Sequence, residues 1–323
     1  MGDFMLEDDL GMIYLDKILD DKYSFKQIRN FDYNVWGELL SSEIARVLGI
    51  PCIQYRACIF QGKKGVISRS FLEDSDTLIL GDEIFKDYYD MISFQNIDDF
   101  YSFSDMNPND KKNCIFHSWN QLDSVYSILC SRGDIDLNHV KMMDNFLTKM
   151  LLFDLLTLQN SRYFNKWGFI KKQDNILPCP LFDNSVSFGL GIPYVSKKIS
   201  KFCQEVRNGN NNKEKVYDMI YQFRPKFVCS SDNILNIGKM ENDTIYNVFQ
   251  TLLEYVDKDS LILIQNFLEF INQICLEDII HELEKKNGIT MNKSLLFYVS
   301  SVYRENITNL NNIFKNFKEN SNK

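Results

Sequence analysis

The chain has 323 residues, 45% of them hydrophobic and 14% aromatic, with a formal net charge of −8. That is enough apolar material for a large core, in one big domain or a two-lobed one, and it excludes a disordered chain except at the polar C-terminal end. The acidic balance argues against a broad nucleic-acid footprint.

The first residues, Met1 to Asp9, carry no basic region followed by an apolar one. Leu6 stands where a myristoylation signal needs Ser or Thr, and no apolar run approaches a membrane span. The expectation is a cytoplasmic protein without membrane or direct nucleic-acid contacts. The eight cysteines are scattered with no Cys-x-x-Cys pair, and the three histidines are far apart, so reduced, mostly buried thiols are expected and a zinc site is not.

Along the chain, Ile13-Tyr14-Leu15 and Tyr23-Ser24-Phe25-Lys26 flank the turn pair Asp20-Asp21 and are expected to pair as a hairpin. Val35, Leu39, Leu40, Ile44, Val47 and Leu48 then share the apolar face of a helix, which Gly49 and Pro51 end. Ile53–Phe60 and Val66–Leu72 read as strands joined by a turn over Gln61–Gly65. From Gly81 the pattern turns mostly helical, with a turn at Asn107–Asp110. A long amphipathic helix spans Asp136 to Leu158, its stripe made of Met143, Phe146, Leu147, Met150, Leu151, Leu155 and Leu158. A second hairpin is expected between Trp167–Ile170 and Leu181–Asp183, an exposed loop over Arg207–Lys213, and helices to the end. The predicted architecture is α+β and two-lobed: a small β-rich lobe over 1–80 and a larger, mostly helical lobe over 81–323.

Between the long helix and the second hairpin lies Gln159-Asn160-Ser161-Arg162-Tyr163-Phe164-Asn165-Lys166-Trp167-Gly168-Phe169. It resembles the catalytic loop of the HipA-like (CtkA-like) bacterial protein kinases, Asn-x-Asp-Arg-His-x-x-Asn-x-Gly-Phe, a family with a phosphatidylinositol-kinase-like fold. Trp36–Pro51 and Gly65–Leu72 are similar to the same family, as is Leu181-Phe182-Asp183-Asn184-Ser185, which matches its metal-binding segment. The resemblance spans roughly residues 13 to 190 and implies a protein-kinase-like fold using ATP and Mg²⁺.

Phosphoryl transfer needs positive charge on the phosphates, a metal between them and a carboxylate to orient the attacking hydroxyl. By the resemblance, Lys26 reaches the nucleotide phosphates, Glu38 holds Lys26, with Glu43 as the other candidate, and Asp183 ligates Mg²⁺. Two central positions depart from the pattern. Ser161 falls on the catalytic Asp and carries no charge at neutral pH to orient a nucleophile. Lys166 falls on the metal-binding Asn, and an ammonium has no lone pair for a metal, although it can contact a phosphate and stand in for one metal ion's charge. Arg162 is retained, in a role read as structural. A one-residue shift would align Asn160 and Asn165 instead but spoils the match at Arg162 and Trp167-Gly168-Phe169. Asp154 lies about 10 Å back along the helix, too far for a substitute base.

The phosphate-covering loop is also poor: between Met1 and Lys26 the only glycines are Gly2 and Gly11, in a stretch rich in Asp and Glu. No Walker A pattern occurs. The leading expectation is a HipA-like kinase fold acting as a catalytically impaired pseudokinase, by nucleotide binding, protein binding or both. Its partner would be a substrate, an active kinase or a toxin–antitoxin partner. An active Ser/Thr kinase or related transferase with atypical residues, and an interaction module keeping only the fold, are the alternatives.

Overall fold

The computed structural model describes residues 11–15, 22–81, 83, 135–159, 162, 166–173, 175–190, 195–207, 249–250, 252–254 and 256–321. The readings of Asp20-Asp21, Asn107–Asp110, Asn160, Ser161, Tyr163, Asn165, the acidic stretch before Gly11 and the polar loop after Arg207 fall outside the described residues.

The small lobe is a four-stranded sheet backed by one helix. Its strands are β1 (Ile13–Leu15), β2 (Tyr23–Gln27), β3 (Arg56–Phe60) and β4 (Lys63–Arg69), in the order β1-β3-β4-β2. The turn expected over Gln61–Gly65 is corrected to two residues: β3 and β4 join through Gln61 and Gly62, with φ values of 48° and 73°, and Lys63–Gly65 already pair with β3. The expected pairing of Ile13–Leu15 with Tyr23–Lys26 is corrected. β1 runs parallel to β3, β2 runs antiparallel to β4, and the two lie on opposite edges. The reason is burial. β3 and β4 are buried along most of their length and take the centre, while the half-exposed β2 tolerates an edge. Gly65 pairs with Gln27 across β4 and β2; a Cβ there would lie 2.2 Å from Lys26 O and 2.7 Å from the Phe25 ring, so only glycine lets β2 pack this closely.

Helix α1 (Phe31–Val47) starts after Asn30, which sits at φ 51°, and buries Val35, Trp36, Leu39, Leu40, Ile44 and Ala45. Of the predicted apolar face, Val35, Leu39, Leu40 and Ile44 are buried, and Val47 and Leu48 are half-buried against the same core. After it, Ile53 N–H donates to Leu181 O at 2.9 Å and Leu181 N–H to Pro51 O at 2.8 Å, stitching the lobe to the segment that follows the second sheet.

That sheet holds β5 (Thr77–Leu80), β6 (Gly168–Lys172) and β7 (Asn175–Pro178), in that order. The second hairpin is therefore β6–β7, and the predicted partner Leu181–Asp183 is corrected. Pairing Lys172 with Asn175 needs only a two-residue turn. Pro178 is tolerated because β7 is an edge strand, and Leu181 instead bridges to Cys52. β5 closes the segment 1–80 yet pairs with β6, so this strand carries the chain from one sheet to the other.

The larger lobe is mostly helical among the described residues: α2 (Leu137–Thr157), α3 (Val195–Arg207), α4 (Lys258–Ile271), α5 (Leu276–Asn287) and α6 (Lys293–Ser321). Asp136 caps α2, accepting from the Asn138 and His139 N–H groups at 2.9 Å, and the whole predicted stripe of α2 is buried. At its far end Leu158 takes the left-handed conformation at φ 53°. Asn306 of α6 donates to the Leu155 and Leu156 carbonyls at 2.7 and 2.9 Å, satisfying end carbonyls that the helix itself leaves open. This fixes where the loop after α2 leaves. The lobes also meet at the back, where Ala57 N–H donates to Asn287 Oδ1 at 2.8 Å and Arg56 Nη2 to Lys286 O at 2.8 Å. None of the described helices is long and apolar enough to cross a membrane.

Candidate functional site

Lys26 leaves β2 toward the seam between the lobes, because its strand neighbours Phe25 and Gln27 point to the other side. Its ammonium meets three groups. It donates to Glu38 Oε1 of α1 at 2.5 Å, to Asp183 Oδ1, and more distantly to Ser185 Oγ at 3.5 Å. Glu38 is fully buried, and its second oxygen accepts the Asn184 N–H at 2.8 Å. Glu43 turns aside and pairs with Arg46 on its own helix. Of the two candidates for Lys26, the geometry selects Glu38.

Asp183 lies in the segment after β7 with φ 57°, a left-handed conformation that Asp tolerates better than most side chains. Its Oδ2 accepts from Lys166 Nζ at 2.5 Å, so both carboxylate oxygens are held by ammonium groups. Burial would raise the Asp183 pKa, but the charges of Lys26 and Lys166 outweigh it and hold the carboxyl at about 2. For Lys26, burial pulls the pKa down and Glu38 and Asp183 pull it up; the carboxylates win. A close approach makes this cluster possible. A Cβ on Gly37 would lie 2.5 Å from Ser185 O, so only glycine lets α1 and the Asp183–Ser185 segment touch.

Arg162 is buried and holds the segment from beneath. It donates through Nε to Asp154 Oδ2 at 3.0 Å and through Nη2 to Asp154 Oδ1 at 2.9 Å. Nη1 donates to Phe182 O at 2.9 Å and Lys166 O at 3.2 Å, and Nη2 also to Asn184 Oδ1 at 2.6 Å. Asp154 is thus the counter-ion of Arg162. The sequence reading named neither Asn184, which links α1, Arg162 and Cys52, nor Tyr55, whose hydroxyl takes a hydrogen bond from the Asp183 main chain. Asn184 was visible inside the Asp183-Asn184-Ser185 match. Tyr55 carried no sequence signal. Burial pushes the Cys52 thiol up to about 12, so it is not a nucleophile at neutral pH.

Above these charges opens a cleft of about 570 Å³, lined among others by Ser24, Lys26, Tyr55, Arg69, Phe71, Phe182 and Asp183. Phe71 and Phe182 stack at its side, ring centroids 6.3 Å apart and 19° from coplanar. The volume suits a drug-sized or cofactor-sized ligand, and the wall combines apolar rings with a few charged groups.

No protein-family model matches the chain, and no curated protein matches it in sequence. Solved structures do. The chain is similar to the Helicobacter pylori proinflammatory kinase CtkA, with a TM-score of 0.59 and 16% identity over 94% of this chain and 90% of that one. It is also similar to a chain of the Shewanella oneidensis toxin–antitoxin complex of HipA, HipB and operator DNA, with a TM-score of 0.50 and 12% identity. That match covers 90% of this chain and 58% of that one. The chain has a protein-kinase-like fold. The likeness to these HipA-like structures extends beyond residues 13–190 into the helical remainder.

Within that kinase fold, the charge cluster has a measurable signature. An Asp183 carboxyl depressed to about 2 stabilises the folded state fully above its unfolded value of 3.8 and loses that contribution as pH falls toward 2. Its size is at most ~2 kcal/mol, reduced by solvent screening since the side chain is 31% exposed. Urea unfolding between pH 5 and pH 2 should show a shallower acid loss for Asp183→Asn than for the wild type; parallel curves would mean the carboxylate is not held by the two lysines.

Proposed function

We propose that this kinase-fold chain binds an adenine nucleotide in the cleft, transfers its phosphate weakly or not at all, and acts in the cytoplasm through a protein partner. The observation that carries the reading is the Lys26 ammonium between buried Glu38 and Asp183 at the edge of the cleft. A strand lysine held by a helix glutamate is the device by which protein kinases grip nucleotide phosphates. Phe71 and Phe182 supply an aromatic wall for a base. Impairment follows from the two replaced positions. Ser161 offers no carboxylate for the attacking hydroxyl, and Lys166 cannot ligate the Mg²⁺ that phosphoryl transfer uses. A protein partner agrees with the toxin–antitoxin complex among the similar structures.

A second reading, an active Ser/Thr kinase, is favoured by the intact Lys26–Glu38 pair, because loose phosphoryl-transfer transition states depend mainly on positioning and electrostatics. One pair of experiments separates them. Calorimetric titration should show ATP binding that Lys26→Ala weakens about tenfold or more. Incubation with labelled ATP and protein substrates should show little transfer. Robust phosphorylation by the wild type, abolished by Asp183→Ala, would overturn the proposal in favour of the second reading. Absence of ATP binding would overturn both and leave an interaction module.

A further inference from the structure

Magnesium bridges phosphates in kinases through hard oxygen ligands at about 2.0–2.1 Å in near-octahedral geometry. The described residues do not fit it. Among the described residues no group of three or more His, Cys, Asp or Glu side chains could hold a metal ion. Among the described residues lining the cleft, the one carboxylate, Asp183, has both oxygens engaged by ammonium nitrogens, Lys26 on Oδ1 and Lys166 on Oδ2. A metal cannot approach Oδ2 while Lys166 Nζ stands 2.5 Å away, and the ammonium would repel it.

We infer that the Lys166 ammonium takes the place of the divalent cation, so that the cleft binds a nucleoside polyphosphate in its metal-free form. The inference rests on the nucleotide-binding reading above and deepens it. Lys166 is anchored at both ends. Buried Arg162 holds its main-chain oxygen at 3.2 Å, and Asp183 holds its tip. An ammonium carries three donors, so it can hold a carboxylate and a phosphate oxygen together, which is the bridging task of the metal. The charge balance agrees. Lys26 and Lys166 are matched by Glu38 and Asp183, and Arg69 lines the same cleft, leaving one net positive charge for phosphates and none to attract a dication. Magnesium complexed to ATP would screen the phosphate oxygens from the lysines and bring like charge against Lys166.

The test is calorimetric titration of the full chain with ATP in EDTA and in excess Mg²⁺, with adenosine as the phosphate-free control. In the wild type, Mg²⁺ should leave the ATP affinity within about twofold or lower it. Lys166→Asn should weaken metal-free ATP binding about tenfold, leave adenosine binding unchanged, and make ATP binding respond to Mg²⁺. Lys166→Met keeps the apolar stem and has no metal ligand. It should lose the same metal-free affinity without gaining the Mg²⁺ response, and thermal melting of both variants checks that they fold. Wild-type binding that tightens about tenfold or more with Mg²⁺ would overturn the inference while leaving nucleotide binding intact. So would metal-free binding indifferent to both substitutions. No ATP binding by the wild type in either buffer would sink the nucleotide-binding reading, and this inference with it.

Discussion

Arg162→Met should destabilise the chain by about 3–5 kcal/mol, the usual cost of removing one partner from a buried ion pair. Arg162 and Asp154 are each no more than 2% exposed, so the Asp154 carboxylate would be left without water or counter-ion. The same substitution removes the donors to Phe182 O, Lys166 O and Asn184 Oδ1, acceptors that are costly to leave unpaired where water cannot reach them. Adding Asp154→Leu removes the stranded charge and should recover about half the loss, because a buried pair replaced whole by apolar groups costs far less than one broken. The remainder reports the acceptors along Lys166 to Asn184. Urea denaturation of the wild type, the single and the double variant measures both. A single-variant loss under about 1 kcal/mol would show that Arg162 is not what holds this segment.

Joint exchange of Ser161→Asp and Lys166→Asn should raise phosphate transfer by about 10²–10⁴-fold, the range that a positioned general base contributes. The exchange supplies a carboxylate at the catalytic position and a neutral oxygen ligand where an ammonium now stands. Either change alone should do little. Asp at 161 without a metal site lacks the second half of the machinery, and Asn at 166 without a carboxylate lacks the first, so the effects are strongly non-additive. Transfer of labelled γ-phosphate, to the protein itself or to a general substrate, measures the gain. A rise only in the joint variant supports an impaired kinase. No rise, with ATP still bound, means that further parts of the machinery have been lost, and the chain works by binding alone.

The positions of the predicted site residues were partly readable beforehand. Lys26, Glu38 and Asp183 were named from short matches, and the fold brings them together, with Lys26 and Asp183 separated by 157 positions in sequence. Lys166 is marked by the sequence as a residue that cannot ligate a metal but can contact a phosphate; its pairing with Asp183 is visible only in the structure. Asn184 and Tyr55 went unnamed because a buried Asn and a Tyr in a strand-like run look the same whether they serve a site or a core.

What the sequence alone determined was local. The stripe of α2, the apolar face of α1 and the existence of a turn after Phe60 each depend on residues a few positions apart, where periodicity and backbone conformation act directly. Tertiary structure decided what depends on distant partners. The strand order β1-β3-β4-β2 follows from which strands must be buried on both faces, and the pairing of Leu181 with Cys52 rather than with β6 follows from the cheaper two-residue turn. The neutralisation of Asp183 by two lysines was likewise invisible along the chain. Side-chain charges interact through space over a few ångströms, and only the packing of α1 against the segment after β7, made possible by the missing side chain of Gly37, sets those distances.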